Sequence, residues 1–274
     1  MVKLSIITIN YNNITGLRRT LESVASQTSN EFEYIVIDGA STDGSVKLLT
    51  AYQNFISIAV SEKDSGIYNA MNKGVGLAHG EYALFLNSGD TLNNPDVVSA
   101  FNKCNINADI ITGIERFVCY ENGKKTVEST NYPHNRIVSD IFLISSISHG
   151  SSFIKTQLLR DNPYDESLSI VSDWKFFLEE LIVRRASYSS WNYLVNDFDS
   201  SGISNMQIEK RNNERHMVLQ SIVPDKLLED YLSLLNGRTP LEHMIRHERP
   251  DGVLVKTLLI IGRLILKTTK SIRR

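Results

Sequence analysis

Four polar segments near the start of the chain carry side chains that could do chemistry together. They read TINYNN (8–13), VIDGASTDGS (36–45), SEKDSG (61–66) and LNSGD (86–90), and each contains Asp or Asn. Carboxylate and amide oxygens accept hydrogen bonds from a base or a sugar, and they are the ligands that Mg²⁺ prefers. Loop composition alone does not explain four such segments in succession, so they indicate a shared site for a polar ligand.

An apolar run precedes each segment and predicts the strand that must position it. Helical patterns separate the runs, and the one at 67–78 repeats Ile67, Met71 and Val75 at helix spacing. Strands that are apolar on both faces and alternate with helices predict a parallel sheet covered on both sides. Ligands of such sheets bind at the carboxyl ends of the strands. The predicted strands are 3–10, 33–38, 55–60, 82–87 and 108–114.

The regular alternation ends near residue 115. The segment ENGKK (121–125) predicts a hairpin turn, and SYSSWNYLV (187–195) predicts a short strand. A charged helical pattern begins near residue 207. We therefore expect one α/β domain made of two halves, 1–115 and 116–206, followed by a helical extension over 207–274.

Composition and charge are those of a globular chain without a nucleic-acid partner. Of 274 residues, 42% are hydrophobic and 22% are charged, and the formal net charge is −2. The two cysteines match neither a disulfide framework nor a metal cluster. The N-terminus turns polar too early for a signal peptide, and no stretch reaches the roughly 18 apolar residues of a spanning helix. A cytoplasmic location is expected.

The C-terminal segment 253–274 has a basic amphipathic pattern. On a helix, its Lys and Arg residues form one stripe opposite a wide face of Leu, Ile and Val. That pattern is typical of an interfacial helix on an anionic membrane, which would make the protein peripheral on the inner face of the cell membrane. A helix packed on the domain or on another subunit has the same pattern, and the sequence leaves both interpretations open.

The segments after the strands lack the glycine patterns of common nucleotide-binding loops. Neither G-x-G-x-x-G after the first strand nor G-x-x-x-x-G-K-[ST] occurs. A nucleotide would then be held by side chains and a metal ion. Asp38 could accept from a base N–H, and Asp90 with Asn87 could supply oxygens to Mg²⁺ or Mn²⁺. Taken alone, Asp90 could also be a helix cap.

The motifs SIITINYNN, YIVIDGASTDGS, EKDSGIYNAMNKG and FLNSGD, in this order and spacing, resemble the family 2 glycosyltransferases. The resemblance is close over residues 3–95 and looser over 145–205. It implies the GT-A fold: a mostly parallel central sheet flanked by helices, with an irregular acceptor-side second half and a C-terminal helical tail. It also implies that 1–115 binds a nucleotide-sugar donor, while 116–206 binds the acceptor and carries the catalytic base.

The resemblance assigns roles to residues of this sequence. Asp38 would read the base, Asp64 would meet the ribose or the sugar, and Asp90 and Asn87 would bind Mg²⁺ or Mn²⁺. Further donor-binding residues are implied for the base, ribose, diphosphate or sugar: Thr8, Asn10, Tyr11, Asn72, Lys73 and Ser88. One departure concerns the metal motif, because Asn87 and Gly89 occupy positions that are usually acidic.

An inverting transfer needs a base for the acceptor hydroxyl, and the resemblance assigns this role to Asp173 in VSDWKFF. The alternative is that Asp173 only caps the helix it precedes. Five further residues are candidates on the acceptor side or in a closing loop, and a structural role explains each of them equally well. For Trp174, the structural role is packing, and the functional role is a flat surface for a sugar ring. These candidates are His149, Trp174, Ser201, Gly202 and Ser204.

The function predicted from these features is inverting transfer of a hexosyl group from a nucleoside-diphosphate sugar to a hydroxyl of a glycan or lipid-linked oligosaccharide. The resemblance favours UDP, with dTDP and GDP open. Two other classes remain as alternatives. A related nucleotidyltransferase would need a Gly- and Lys/Arg-rich loop after the first strand, which NYNNITGLRR is not. A catalytically silent sugar-binding protein is conceivable because the metal motif has lost acidic residues.

Overall fold

The structure of the chain is a computed structural model that describes residues 2–121, 124–135, 146–201 and 207–229. Nine strands in the described residues form one sheet with the order β3-β2-β1-β4-β8-β6-β9-β5, and β7 pairs with β6. The strands are β1 Leu4–Asn10, β2 Glu33–Asp38, β3 Ile58–Ser61, β4 Tyr82–Phe85, β5 Thr91–Leu92, β6 Ile110–Glu121, β7 Lys124–Asn131, β8 Ser152–Lys155 and β9 Tyr188–Asp199.

The first four strands of that order are parallel, as the alternation of strands and helices predicts. Asn10 of β1 is in register with Asp38 of β2, and Asp38 is in register with Ser61 of β3. On the other side of β1, Ile7 is in register with Phe85 of β4. The carboxyl ends of β1, β2 and β3 therefore lie side by side, and the polar segments that follow them begin at one edge of the sheet.

Helices cover this sheet because each presents apolar residues at a spacing of three or four. Leu17, Leu21 and Val24 of α1 are fully buried, and they pack in one core with Leu4 and Ile6 of β1. Full burial of such a side chain stabilises the fold by about 1.5–3 kcal/mol. The helices are α1 Ile14–Ala25, α2 Ser45–Ala51, α3 Ile67–Leu77, α4 Val97–Lys103, α5 Thr156–Asp161, α6 Ser172–Leu178 and α7 Ile208–Ile222.

Beyond β4 the sheet is mixed, so "mostly parallel" holds only for its first half. β8 lies between β4 and β6 and is antiparallel to both, whereas β6 and β9 are parallel. The predicted hairpin is confirmed, since Glu121 of β6 pairs with Lys124 of β7. β6 has twelve residues and extends well beyond the predicted strand 108–114, because β7 and β9 supply partners to its second half.

Residues up to Arg215 form one compact unit, and a second unit begins at His216. None of the helices in the described part of the chain is long and apolar enough to cross a membrane. The predicted amphipathic segment 253–274 and the loop positions Gly202 and Ser204 lie outside the described residues.

Candidate functional site

The polar segments that follow β1, β2, β3 and β4 are joined to one another by direct contacts. The Thr42 N–H donates to Asn12 Oδ1 at 2.8 Å, which joins the first segment to the second. Asn13 Nδ2 donates to the Ser88 carbonyl at 3.0 Å, which joins the first segment to the fourth. The third segment reaches the second at Gly39, as described below. All four therefore meet in one place.

Asp38 is the last residue of β2. Its carboxylate is fully buried, and both of its oxygens accept hydrogen bonds. Asn10 Nδ2 donates to Oδ1 at 2.8 Å, while the Ser41 N–H and the Ser61 hydroxyl donate to Oδ2 at 2.9 and 2.7 Å. Burial alone would raise the pKa of Asp38, but hydrogen bonds, first those from Ser41 and Ser61, outweigh burial and lower it. The Oδ1 of Asn10 is shielded from solvent and has no hydrogen-bond partner.

Gly39, Tyr11 and Asp64 meet at the end of the same strand. A Cβ atom on Gly39 would lie 2.5 Å from Asp64 Oδ2 and 3.1 Å from the Tyr11 ring, so only glycine lets the three segments approach this closely. The Tyr11 side chain is two-thirds exposed. An exposed ring beside a carboxylate can stack on a flat base and bind a ribose hydroxyl.

One threonine of α1, Thr20, holds the turn Asn87–Asp90 in place through hydrogen bonds to its backbone. The Thr20 hydroxyl accepts from the Gly89 N–H at 3.0 Å and donates to the Asp90 carbonyl at 2.7 Å. Gly89 has φ +116°, a left-handed conformation that any side chain would strain. At position 89, where the resemblance leads us to expect an acidic residue, the backbone conformation therefore favours glycine.

Asp90 is 5% exposed, and its Oδ1 accepts from the Asp199 N–H at 2.8 Å. Burial raises the pKa of Asp90 well above its ordinary value, and the nearby carboxylates of Glu115 and Asp199 add to the increase. Asp199 in turn pairs with Arg19 at 2.6 Å. The end of β9 therefore borders the Asn87–Asp90 turn, a contact between residues 109 positions apart that the sequence alone did not indicate.

The residues of this turn fit a divalent cation. Asn87 Oδ1 is shielded from solvent and receives no hydrogen bond from the described residues, and the buried Asp90 carboxyl could supply a second hard oxygen. The described residues contain no group of three His, Cys, Asp or Glu side chains arranged to hold a metal by themselves. A cation on a nucleoside diphosphate needs only one or two protein oxygens, because phosphates and water supply the others.

Asp173 lies in the first turn of α6, and its Oδ1 accepts from the Tyr68 hydroxyl at 3.0 Å. α6 begins at Ser172 and has Val171 at its N-cap position without a side-chain capping bond, so Asp173 is not the cap. Burial and the Asp173 carboxylate raise the pKa of Tyr68 well above its ordinary value. Tyr68 stays protonated at neutral pH and keeps donating to the carboxylate.

Comparison with known proteins identifies the family of the chain. The family model described as glycosyl transferase family 2 matches residues 5–178. The chain belongs to that family. Two relatives of similar sequence are an uncharacterised glycosyltransferase of Mycobacterium tuberculosis, 43% identical over 96 residues, and a PGL/p-HBAD biosynthesis glycosyltransferase of Mycobacterium bovis, 28% identical over 211 residues. The match covers 35% of this chain and 37% of the first relative, and 70% of this chain and 78% of the second.

Solved structures share the GT-A fold of this family 2 glycosyltransferase. Staphylococcus aureus TarS 1–349 in complex with UDP-GlcNAc has a TM-score of 0.58 at 22% identity, over 72% of this chain and 58% of that chain. The mannosyltransferase PcManGT from Pyrobaculum calidifontis, in complex with GDP-Man and Mn²⁺, has a TM-score of 0.55 at 13% identity, over 76% of this chain and 60% of that one. The predicted fold class is confirmed.

Several side chains predicted to bind the donor are engaged within the protein. Thr8 is fully buried and donates to the Leu86 carbonyl at 2.8 Å, so any contact it makes with the donor is indirect. Asn72 is bonded to both backbone groups of Tyr164, each at 2.9 Å, and holds the segment before α6. Lys73 pairs with Glu62 at 2.6 Å. Ser88 lies beside Asn13 in the turn, as described above.

The acceptor-side candidates divide into buried and open positions. His149 is hydrogen-bonded to the Tyr164 hydroxyl at 2.9 Å and stacks on Phe85, and burial lowers its pKa, which favours a neutral ring. Trp174 is 2% exposed, so it is a packing residue and does not offer a flat surface to a sugar. Ser201 is exposed and donates to Asp199 Oδ1 at 2.7 Å.

Proposed function

We propose that this family 2 glycosyltransferase transfers a hexosyl group, with inversion, from a nucleoside-diphosphate sugar to a hydroxyl of a glycan or lipid-linked glycan. One observation carries the proposal: the strand-end segments meet in one place, and the helix that follows the third segment also holds Asp173 through Tyr68. The family match and the names of the relatives support it. UDP is the preferred nucleotide, because TarS has been solved with UDP-GlcNAc.

On the donor side, Asn10 would recognise the base, and Asp38, which is as fully buried as Thr8, would act through the Asn10 side chain that it holds. Asp38 keeps its charge because hydrogen bonds hold it, and the unpartnered Asn10 Oδ1 is ready to accept a donor group. The exposed Tyr11 ring would stack on the base, while Asp64 would accept from a ribose or sugar hydroxyl.

Asp90 and Asn87 would hold Mg²⁺ or Mn²⁺ on the diphosphate. A bound divalent cation stabilises the charge of the departing diphosphate. The same cation would favour the ionised form of Asp90, which burial otherwise disfavours. The Thr20 hydroxyl keeps the turn rigid, because it bonds to the backbone of both Gly89 and Asp90.

Asp173 would act as the general base. Its Oδ1 is occupied by Tyr68, whereas its Oδ2 receives no hydrogen bond from the described residues. Oδ2 takes the proton of the acceptor hydroxyl as the hydroxyl oxygen forms its bond to the anomeric carbon. The anomeric carbon's bond to the diphosphate breaks on the opposite face, and the nucleoside diphosphate leaves with the electron pair. Such a base contributes about 10²- to 10⁴-fold in rate.

The proposal is tested by thermal shift of the full chain with UDP-, GDP- and dTDP-sugars, each with and without Mn²⁺, followed by hydrolysis and transfer assays. We expect one nucleotide series to raise the unfolding temperature, and Mn²⁺ to increase the shift. Absence of a shift with every sugar nucleotide would overturn the proposal. Binding without any transfer or hydrolysis, across a panel of acceptors, would instead indicate a silent sugar-binding protein.

We also propose that residues 253–274 attach the protein to anionic membranes. Their sequence pattern, a basic stripe opposite an apolar face, supports this role. Vesicles rich in anionic lipid should cosediment with the full chain and should leave a chain ending at residue 252 in the supernatant, because basic residues are attracted to a negative membrane surface. Equal recovery of both chains in the supernatant would favour the alternative of a helix packed on protein.

A further inference from the structure

Two arginines of α7, Arg211 and Arg215, lie one helical turn apart and have no anionic partner among the described residues. In the part of the chain that the structure describes, the Nε of each is shielded from solvent without an acceptor, and no ion pair includes either guanidinium. Both side chains are only partly buried, so a ligand can reach them. Charged donors in such surroundings are normally bonded, and two unpartnered ones in succession require an explanation.

Glu214 fixes the position of these arginines without neutralising them. Its carboxylate is buried and accepts from the Ser169 N–H at 3.0 Å and the Ile170 N–H at 2.9 Å. Those two backbone groups belong to the segment that leads into α6. Because both carboxylate oxygens are used by backbone donors, Glu214 anchors α7 beside the start of α6 and leaves the neighbouring guanidinium groups available.

Arg215 lies next to the base. Its guanidinium carbon is 5.1 Å from the centroid of the Trp174 ring, and Trp174 follows Asp173 in the chain. Burial and the charge of Arg211 lower the pKa of Arg215, while the Asp173 carboxylate raises it. The two arginines therefore repel each other, and Asp173 is within electrostatic range of them. Like charges four residues apart destabilise a helix unless an anion lies between them.

We propose that Arg211 and Arg215 form a binding site for a substrate phosphate group beside Asp173. The planar forks of two guanidinium groups match the oxygens of a phosphate, and each bond is assisted by charge. This inference rests on the proposed function for the place of the site in the reaction. The phosphate group could come from two sources with the same chemistry. These are the diphosphate of the donor and a phosphate group within the acceptor.

The two tryptophans of the chain allow a local test that needs no acceptor and no turnover. Trp174 packs against Arg215, and a Trp191→Phe background leaves Trp174 as the single tryptophan, whose emission is excited selectively over that of tyrosine. Inorganic phosphate and glycerol 3-phosphate are titrated at constant ionic strength, with chloride as the reference anion. We expect both probes to change the Trp174 emission along a saturable curve.

Variants of α7 then assign the response. R211Q/R215Q should weaken phosphate binding at least about tenfold, because it removes two charge-assisted partners. R211K/R215K should retain part of the affinity, and the control K210Q, at an exposed position of the same helix, should bind like the parent. A parent without saturable response, or equal binding by R211Q/R215Q, overturns the inference. If the double variant does not fold, R211Q alone is compared, because it keeps Arg215 and its position over the Trp174 ring.

A second arm identifies the source of the phosphate. UDP is added to saturation before phosphate is titrated. If UDP itself produces the Trp174 response and excludes phosphate, the site belongs to the donor diphosphate. If phosphate still binds with UDP present, the site belongs to the acceptor. Both results support the anion site, and neither depends on transfer, so a failed transfer assay and a failed anion site are distinguishable.

Discussion

On the proposed donor side, Asp38 is enclosed and accepts hydrogen bonds from Asn10, Ser41 and Ser61. On the proposed acceptor side, Asp173 is partly exposed and accepts one hydrogen bond from Tyr68. Hydrogen bonds lower the pKa of Asp38 against the effect of burial. The Oδ2 of Asp173 has no donor among the described residues.

The difference between the two carboxylates indicates two different roles, a fixed hydrogen-bond acceptor and a proton acceptor. A carboxylate whose oxygens already accept several hydrogen bonds is a fixed acceptor and a poor proton carrier, so Asp38 suits the positioning of Asn10 and of the turn after β2. A carboxylate oriented through one oxygen keeps the other for a proton, which suits a base. One helix serves both regions: Asp64, just before α3, contacts Gly39 behind Asp38, and Tyr68, in its first turn, holds Asp173.

The largest expected effect comes from removing the base. Asp173→Asn should lower kcat by about 10²- to 10⁴-fold, because the amide cannot take the proton of the acceptor. Donor Kd and unfolding temperature should remain near those of the parent, since the Tyr68 hydroxyl can still donate to the amide oxygen. Steady-state transfer assays and calorimetry measure these quantities, with Asp161→Asn, an exposed carboxylate on α5, as the control. Retained turnover would remove Asp173 from the mechanism.

On the donor side, Asp38→Asn should destabilise the fold by about 1–3 kcal/mol, because an amide group would face donors that need an acceptor. The folded pKa of Asp38 lies below the unfolded value of about 3.9, so its ionised form contributes stability above that pH, and the contribution is lost as pH falls through the folded pKa. The difference between parent and variant in denaturant unfolding should therefore shrink below about pH 4. A constant difference down to pH 2 would contradict this account.

The carboxyl of Asp90 differs from those of Asp38 and Asp173. It is buried like that of Asp38, but its pKa is raised. Asp90→Asn should weaken Mn²⁺ activation at least about tenfold, the lower bound observed when even an outer partner of a metal is removed. Titration of Mn²⁺ into EDTA-treated enzyme with UDP-sugar measures the change, and Asp96→Asn, an exposed carboxylate, is the control. Identical Mn²⁺ curves for parent and Asp90→Asn would exclude Asp90 as a ligand.

The smallest effect is expected from a substitution that changes only how the proposed base, Asp173, is oriented. Tyr68→Phe removes one hydrogen bond to Asp173 and should lower kcat by about three- to tenfold, the loss expected for about 1 kcal/mol of orientation. KM for the donor should hardly change, because Tyr68 contacts Asp173 and Tyr164, which lie on the proposed acceptor side. A variant with altered KM and unchanged kcat would mean that Tyr68 supports the donor side of α3 instead.

Much of the fold could be predicted because its local signals are strong. β2 has the predicted bounds 33–38, and β1 begins one residue later than predicted, since both are apolar on both faces. β5, with only Thr91 and Leu92, has no such signal, because pairing with β9 alone makes it a strand. The mixture of parallel and antiparallel pairs in the second half of the sheet could not be predicted from the sequence either. It depends on which strands, distant in the chain, become neighbours in the sheet.

By itself the sequence determined the residue types at the strand ends, and therefore the kind of ligand that they can bind. Only the tertiary structure decided which of them are free to bind it. Thr8 and Asn72 belong to the predicted set, yet the fold engages them with Leu86 and Tyr164. Contacts between distant residues also brought Tyr68 to Asp173, because hydrogen bonds are satisfied in space, whereas a motif records only spacing along the chain.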